Sequence, residues 1–120
     1  MNLREIDRLV AEKVMGWEEV KENDFIKRPD VDFIGKAPDR FCEDAWSILP
    51  NYSTDISDAW EVVEQLREKE LYVDIDTFAE HYDVRVVSGP YEVGHSLSET
   101  APLAICLAAL KAVGIEVKTE

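Results

Sequence analysis

The stretch NYSTDISDAWEVVEQL, residues 51–66, decides how the chain is read. It sets Tyr52, Ser53, Thr54, Asp55 and Asp58, all groups able to do chemistry, directly before an apolar repeat. Ser53, Thr54 and Asp55 are each good helix N-caps, because a short side-chain oxygen accepts a backbone N–H that the first turn leaves free. Asp55 and Asp58 also suit the positive end of a helix dipole. Ile56, Ala59, Trp60, Val63 and Leu66 then recur at helical spacing as one apolar stripe, with Glu64, Arg67 and Glu68 off it. The spacing predicts a helix over 54–69, with Trp60 filling the layer between helix and sheet. As a ligand site, Tyr52, Ser53 and Asp55 would offer free N–H groups to an anion, but the two carboxylates already there disfavour a phosphate. Capping accounts for the stretch without a ligand.

Two further helices flank this one. Leu3, Ile6, Leu9, Val10 and Val14 mark an amphipathic helix over 3–15. Asn2 is its candidate N-cap with Glu5 three residues on, and Gly16 its stop. ETAPLAICLAALKAVG, residues 99–114, predicts a helix over 100–113 capped by Thr100, with Pro102 in the first turn and Gly114 past the end. Leu103, Cys106, Leu107 and Leu110 form a stripe that Ile105 and the alanines extend nearly all round, so this helix is expected to be buried.

Between the second and third helices the period changes to two. LYVDIDTF (71–78), DVRVVSG (83–89) and YEVGHSL (91–97) alternate, and the last places Tyr91, Val93 and His95 on one face. Three strands with short links favour an antiparallel meander. FAEHY (78–82) fits either a helical turn or a hairpin loop. Residues 18–50, broken by Pro29, Gly35 and Pro38, read as loop with short extended pieces. The elements together predict an α+β fold.

Composition bounds the function. The 120 residues fit one domain, and 46% apolar with 32% charged residues is the balance of a globular chain. No apolar run approaches a membrane span, and the N-terminus lacks an uninterrupted apolar segment. No membrane association or secretory signal is therefore expected. Cys42 and Cys106 make no disulfide framework, and free thiols suit a cytoplasmic protein. The net charge is −13, and residues 51–100 hold 12 acidic and 3 basic residues. Such a field repels phosphate, so no nucleic acid is expected, whereas a basic protein would be attracted.

No catalytic or metal constellation emerges. Cys42, His81, His95 and Cys106 lack the spacing of a zinc site, and Asp74 with Asp76 is only an isolated Asp-X-Asp. Cys106, inside the apolar helix, reads as an inert buried thiol. We therefore expect no catalytic residue, no metal and no cofactor. Two binding readings remain. In one, an acidic surface holds a host or phage protein. In the other, Trp46, Tyr52 and Tyr91 wall a pocket for a small metabolite or nucleotide with Arg40 or Arg85 as counter-charge, a pocket that a homo-oligomer could form between subunits.

Three stretches carry more than periodicity. LREIDRLVAEKVMGW (3–17), PNYSTDISDAWEVVEQL (50–66) and TAPLAICLAALKAVG (100–114) resemble the phage ABA sandwich domain family and cover 47 of the 120 residues. The resemblance implies a small phage or prophage protein, acting in the bacterial cytosol. It also implies a three-layer α-β-α sandwich: a small, mainly antiparallel sheet of three to four strands with helices on both faces. It carries over no enzyme activity. Its characteristic residues, Ser53, Thr54, Asp55, Trp60, Thr100, Pro102 and Leu103 along with Tyr52, come with capping and packing roles. Residues 18–45 depart from the family pattern, and the 71–89 region lacks its tryptophan-led strand.

Overall fold

The computed structural model describes residues 2–117. The order of elements is α1 (Leu3–Lys13), β1 (Glu18–Glu22), β2 (Phe33–Lys36), β3 (Ser47–Ile48), α2 (Ile56–Glu68), β4 (Tyr72–Thr77), β5 (Tyr82–Ser88), β6 (Tyr91–Ser98) and α3 (Ala101–Ala112). The fold is α+β, with three helices and two antiparallel three-stranded sheets, β1-β2-β3 and β4-β5-β6.

Each helix starts as its cap dictates. The Asn2 side chain accepts the N–H of Glu5 at 2.9 Å and donates back to the Glu5 carboxylate at 3.2 Å. Asp55 accepts from Asp58 at 3.1 Å, and Thr100 from Leu103 at 3.4 Å. Of the three candidate caps of α2, Asp55 takes the role. Ser53 is buried instead, and Thr54 is exposed.

α3 is the centre of the packing. One side lies on β5 and β6, and α1 and α2 cover the other. Residues Ala104–Leu110 are buried without a break, which is why the stretch is apolar all round. Close approach to the sheet depends on Gly94 in β6, where an added Cβ would collide with the Ala108 carbonyl oxygen. Val84 and Val86 complete the inner face of this sheet, flanked by the half-buried Val73 and Ile75.

The meander β4-β5-β6 has the expected strands and antiparallel pairing, and residues 78–81 form the loop of a hairpin. Three expectations are corrected. First, helices do not cover both faces of this sheet among the described residues. They gather on the inner face, while Arg85, Val93 and Leu97 on the outer face stay exposed. Second, a bulge shifts the pairing from Val86↔Gly94 to Val87↔Glu92, so Tyr91 pairs with Ser88 and falls out of phase with Val93 and His95. Third, residues 18–50 build a whole second sheet. Its strands are short, and Gly35 within β2 is required by contact, since a Cβ there would lie 2.9 Å from the Trp17 ring. Asn23 organises the long β1–β2 connection: its side chain accepts from the N–H of Phe25 and Ile26 and donates to the carbonyls of Ile26 and Val31.

Candidate functional site

α2 sets the site. Its buried positions are Ala59, Val62 and Leu66, a stripe facing α3. Trp60, one residue round from Ala59, is therefore not in the core but 49% exposed, and Ile56 is 52% exposed. The expectation that Trp60 fills the layer between helix and sheet is thus overturned, because the packed stripe of α2 is too narrow to reach it.

Trp60 opens instead onto a groove of about 520 Å³ between α2 and the β1-β2-β3 side of the molecule. Met15, Trp17, Pro38, Ile48, Pro50 and Tyr52 supply its apolar surface. Asp39, Glu61, Glu64 and Glu68 supply carboxylates, and among the described residues no lysine or arginine lines it. The acids of α2, Glu61, Glu64 and Glu68, recur at i, i+3 and i+7 after Trp60, which aligns them along one side of the groove. The arginine nearest to any of them is Arg67, 3.9 Å from Glu64 on the solvent side. Tyr52 is 1% exposed, a packed wall rather than a free ring. Burial pushes its phenol well above the usual tyrosine range, with the nearby Glu61 and Asp58 charges adding to the rise and a hydrogen bond with Trp17 opposing it.

The five residues proposed from sequence as ligand contacts do not converge on one site. Tyr52 lines the groove. Trp46 lies on the β1-β2-β3 sheet beneath two ammonium groups, Lys21 at 4.5 Å and Lys36 at 5.2 Å from its ring. Arg40 is folded onto Glu18 and Glu43. Arg85 stands on the outer face of the other sheet near Asp83 and Glu92. Tyr91, at the end of β6, is 72% exposed. Trp60, which shapes the groove, reads in the sequence as a packing residue, because a helical stripe shows spacing and not how wide the buried face will be.

The characteristic residues Ser53, Thr54, Thr100, Pro102 and Leu103 meet at a second hollow. It measures about 630 Å³ and is also lined by Leu3, Ser98, Glu99 and Leu107. Its hydroxyls are already engaged where they are buried: Ser53 donates to the Leu3 carbonyl at 3.2 Å.

The reactive groups stand apart. Burial pushes the Cys106 thiol far up, out of the nucleophilic range. His95 bonds Asp83 at 2.6 Å on the outer face of the sheet whose inner face carries α3. His81 stacks on Phe78 with ring centroids 4.7 Å apart. Among the described residues, no three His, Cys, Asp or Glu side chains gather as metal ligands, and no helix is long and apolar enough to cross a membrane.

Comparison with known proteins places the chain. No curated protein matches it. Among solved structures it is similar to a phage protein from Bacillus cereus ATCC 14579, with 33% identity and a TM-score of 0.68 over 98% of this chain and 93% of that one. The sequence model of the phage ABA sandwich domain matches residues 8–110, and the chain belongs to that family of phage proteins.

Proposed function

We propose that this phage protein acts by binding, without catalysis of its own, and that it holds a basic segment of a host or phage protein in the groove at Trp60, in the host cytosol. The observation that supports this reading is the half-exposed indole flanked by carboxylates, with no cation among the described residues that line the groove. Exposing a tryptophan forgoes the stabilisation its burial would give, so its position invites a partner. A lysine or arginine over the indole would gain a cation–π contact together with Glu61, Glu64 and Glu68 as counter-charges. The apolar floor formed by Trp17, Ile48 and Pro50 suits a partner face that is apolar as well as basic. Charge would set the encounter rate, and the aromatic contacts would set the residence time. The test is retention of host and phage proteins from infected-cell lysate on the immobilised chain, at low and high salt. A specific, salt-sensitive partner lost on Trp60→Ala is expected; a partner retained equally by that variant would refute the groove as the site.

A second reading rests on the hollow where Ser53, Thr54, Thr100 and Pro102 meet. The Thr54 and Ser98 side chains above Leu3, Leu103 and Leu107 suit a small metabolite or nucleoside-like molecule with one polar edge. A thermal-shift screen tests it, because ligand at one hundred times its dissociation constant adds about 2.7 kcal/mol of stability. A flat screen would dismiss it.

A further inference from the structure

We propose that the loop over residues 37–45 is a second, pre-ordered anchor of the same interface, presenting Phe41 to the apolar face of the same basic, amphipathic partner segment. The proposal rests on the groove reading and extends its surface. Phe41 is 94% exposed, the most exposed of the large apolar side chains among the described residues. An exposed aromatic on a mobile loop would mean little, but this loop is tied down from within. The Arg40 guanidinium donates to the Ala37 carbonyl at 2.9 Å, the Glu43 carbonyl at 3.2 Å, and the Glu43 and Glu18 carboxylates at 3.0 and 3.1 Å. Its side chain is only 11% exposed as a result. Backbone bonds from Arg40 to Ala37 and from Ala45 to Cys42 close the loop further. Arg40 is thus a positioning residue: it consumes its own charge inside the loop and leaves Phe41 standing out between the carboxylates of Asp39 and Asp44 in sequence.

The location ties this loop to the groove. Pro38 lines both the Trp60 groove and the hollow beneath Phe41, so the loop forms the wall between them. Asp39 belongs to the groove side of that wall. Two aromatic anchors set in carboxylates therefore share one continuous face. A pre-ordered loop loses less conformational entropy on docking, and a large aromatic inserted in a pocket is the usual centre of binding energy.

The test is fluorescence anisotropy with a labelled amphipathic peptide of leucine and arginine, titrated with the full chain at low salt. Wild-type binding is expected to weaken about tenfold or more in Trp60→Ala and in Phe41→Ala, the size expected for an aromatic anchor. Arg40→Ala makes the surface more acidic and on charge alone would tighten a basic peptide, so weaker binding by that variant reports loss of loop order. The double variant Arg40→Ala/Phe41→Ala should be no weaker than Phe41→Ala, because Arg40 acts through Phe41. Phe41 is exposed, so Phe41→Ala should keep the parent's melting temperature and give a clean reading even if Arg40→Ala folds poorly. Binding lost in Trp60→Ala but within twofold of wild type in Phe41→Ala would overturn the anchor and leave the groove reading standing. No binding by the wild-type chain would overturn both.

Discussion

The buried carboxylate of Asp7 in α1 accepts the backbone N–H of Ser53 at 2.7 Å, across 46 residues of chain. Arg4 donates to the same carboxylate at 2.7 Å and also reaches Asp32, the carbonyls of Leu49 and Pro50, and the Asn51 side chain. This network fixes the approach to α2 against α1 and so sets where the groove wall at Pro50 and Tyr52 begins. Asp7→Ala removes the buried partner of a part-buried ion pair, in which Arg4 keeps Asp32, and orphans the Ser53 N–H, and should cost about 1–3 kcal/mol. Urea denaturation at neutral pH checks it; a cost below about 1 kcal/mol would show that the network is solvated.

The start of α2 separates three roles that look alike in sequence. Asp55→Ala removes the N-cap and should cost about 0.5–2 kcal/mol. Ser53→Ala loses a buried hydroxyl bond to the Leu3 carbonyl and should cost about 1 kcal/mol. Thr54→Ala should stay within about 0.5 kcal/mol, as an exposed side chain that leaves the capping to Asp55. Trp60→Ala should cost well under the about 3–5 kcal/mol of a buried tryptophan. Denaturation curves for the four variants give the order directly, and a Trp60→Ala cost in the core range would place that ring back inside the fold.

Gly94 is the contact on which the sheet–α3 packing depends. Gly94→Ala drives a methyl group into the Ala108 carbonyl and the Ala112 backbone, neither of which can swing aside. The expected loss is about 3 kcal/mol, at the upper end for overpacking. Gly89→Ala is the matched control: its Cβ meets nothing within 4 Å, although its φ of +58° carries the ordinary strain of a left-handed residue. A melting-temperature drop no larger for Gly94→Ala than for Gly89→Ala would contradict the close approach.

Acid should loosen the same region that Arg4 organises. The Arg4 guanidinium, by hydrogen bond and charge, holds the Asp32 carboxyl below the usual carboxylate range. A depressed folded-state pKa means that the unfolded chain binds protons more readily. The stabilisation is therefore complete above the unfolded value of about 4 and is lost as pH falls through the lower, folded value. Stability measured from pH 6 down to pH 2 should fall with a smaller slope in Asp32→Asn than in the parent. Identical slopes would remove Asp32 from the acid response.

The helices and the β4-β5-β6 meander were legible because each is marked locally, by caps at Asn2, Asp55 and Thr100 and by alternation through Val84 and Val86. The β1-β2-β3 sheet was not legible, since its strands are short and its central residue, Gly35, is selected by the Trp17 ring rather than by strand propensity. The acidic character of residues 51–100 was visible in composition, but its convergence with Trp17, Trp60 and Pro38 was not. Trp60 kept the helical period of Ile56, Ala59, Val63 and Leu66, and only the narrow contact with α3 reveals that it faces out. Trp46, Arg40, Tyr91 and Arg85 stand out in the sequence by residue type, which says nothing about their neighbours; in the fold none of the four lines the groove.

The groove at Trp60 as the partner-binding surface is most directly tested by two-dimensional NMR of the isotope-labelled chain during titration with a leucine- and arginine-rich peptide. The account predicts that the largest shifts fall on the Trp60 indole N–H and on the backbone of Asp39, Glu61, Glu64 and Glu68, and that they fade as salt is raised. Shifts centred on Arg85, His95 and Leu97 of the outer sheet face, or no shifts at low salt, would contradict it.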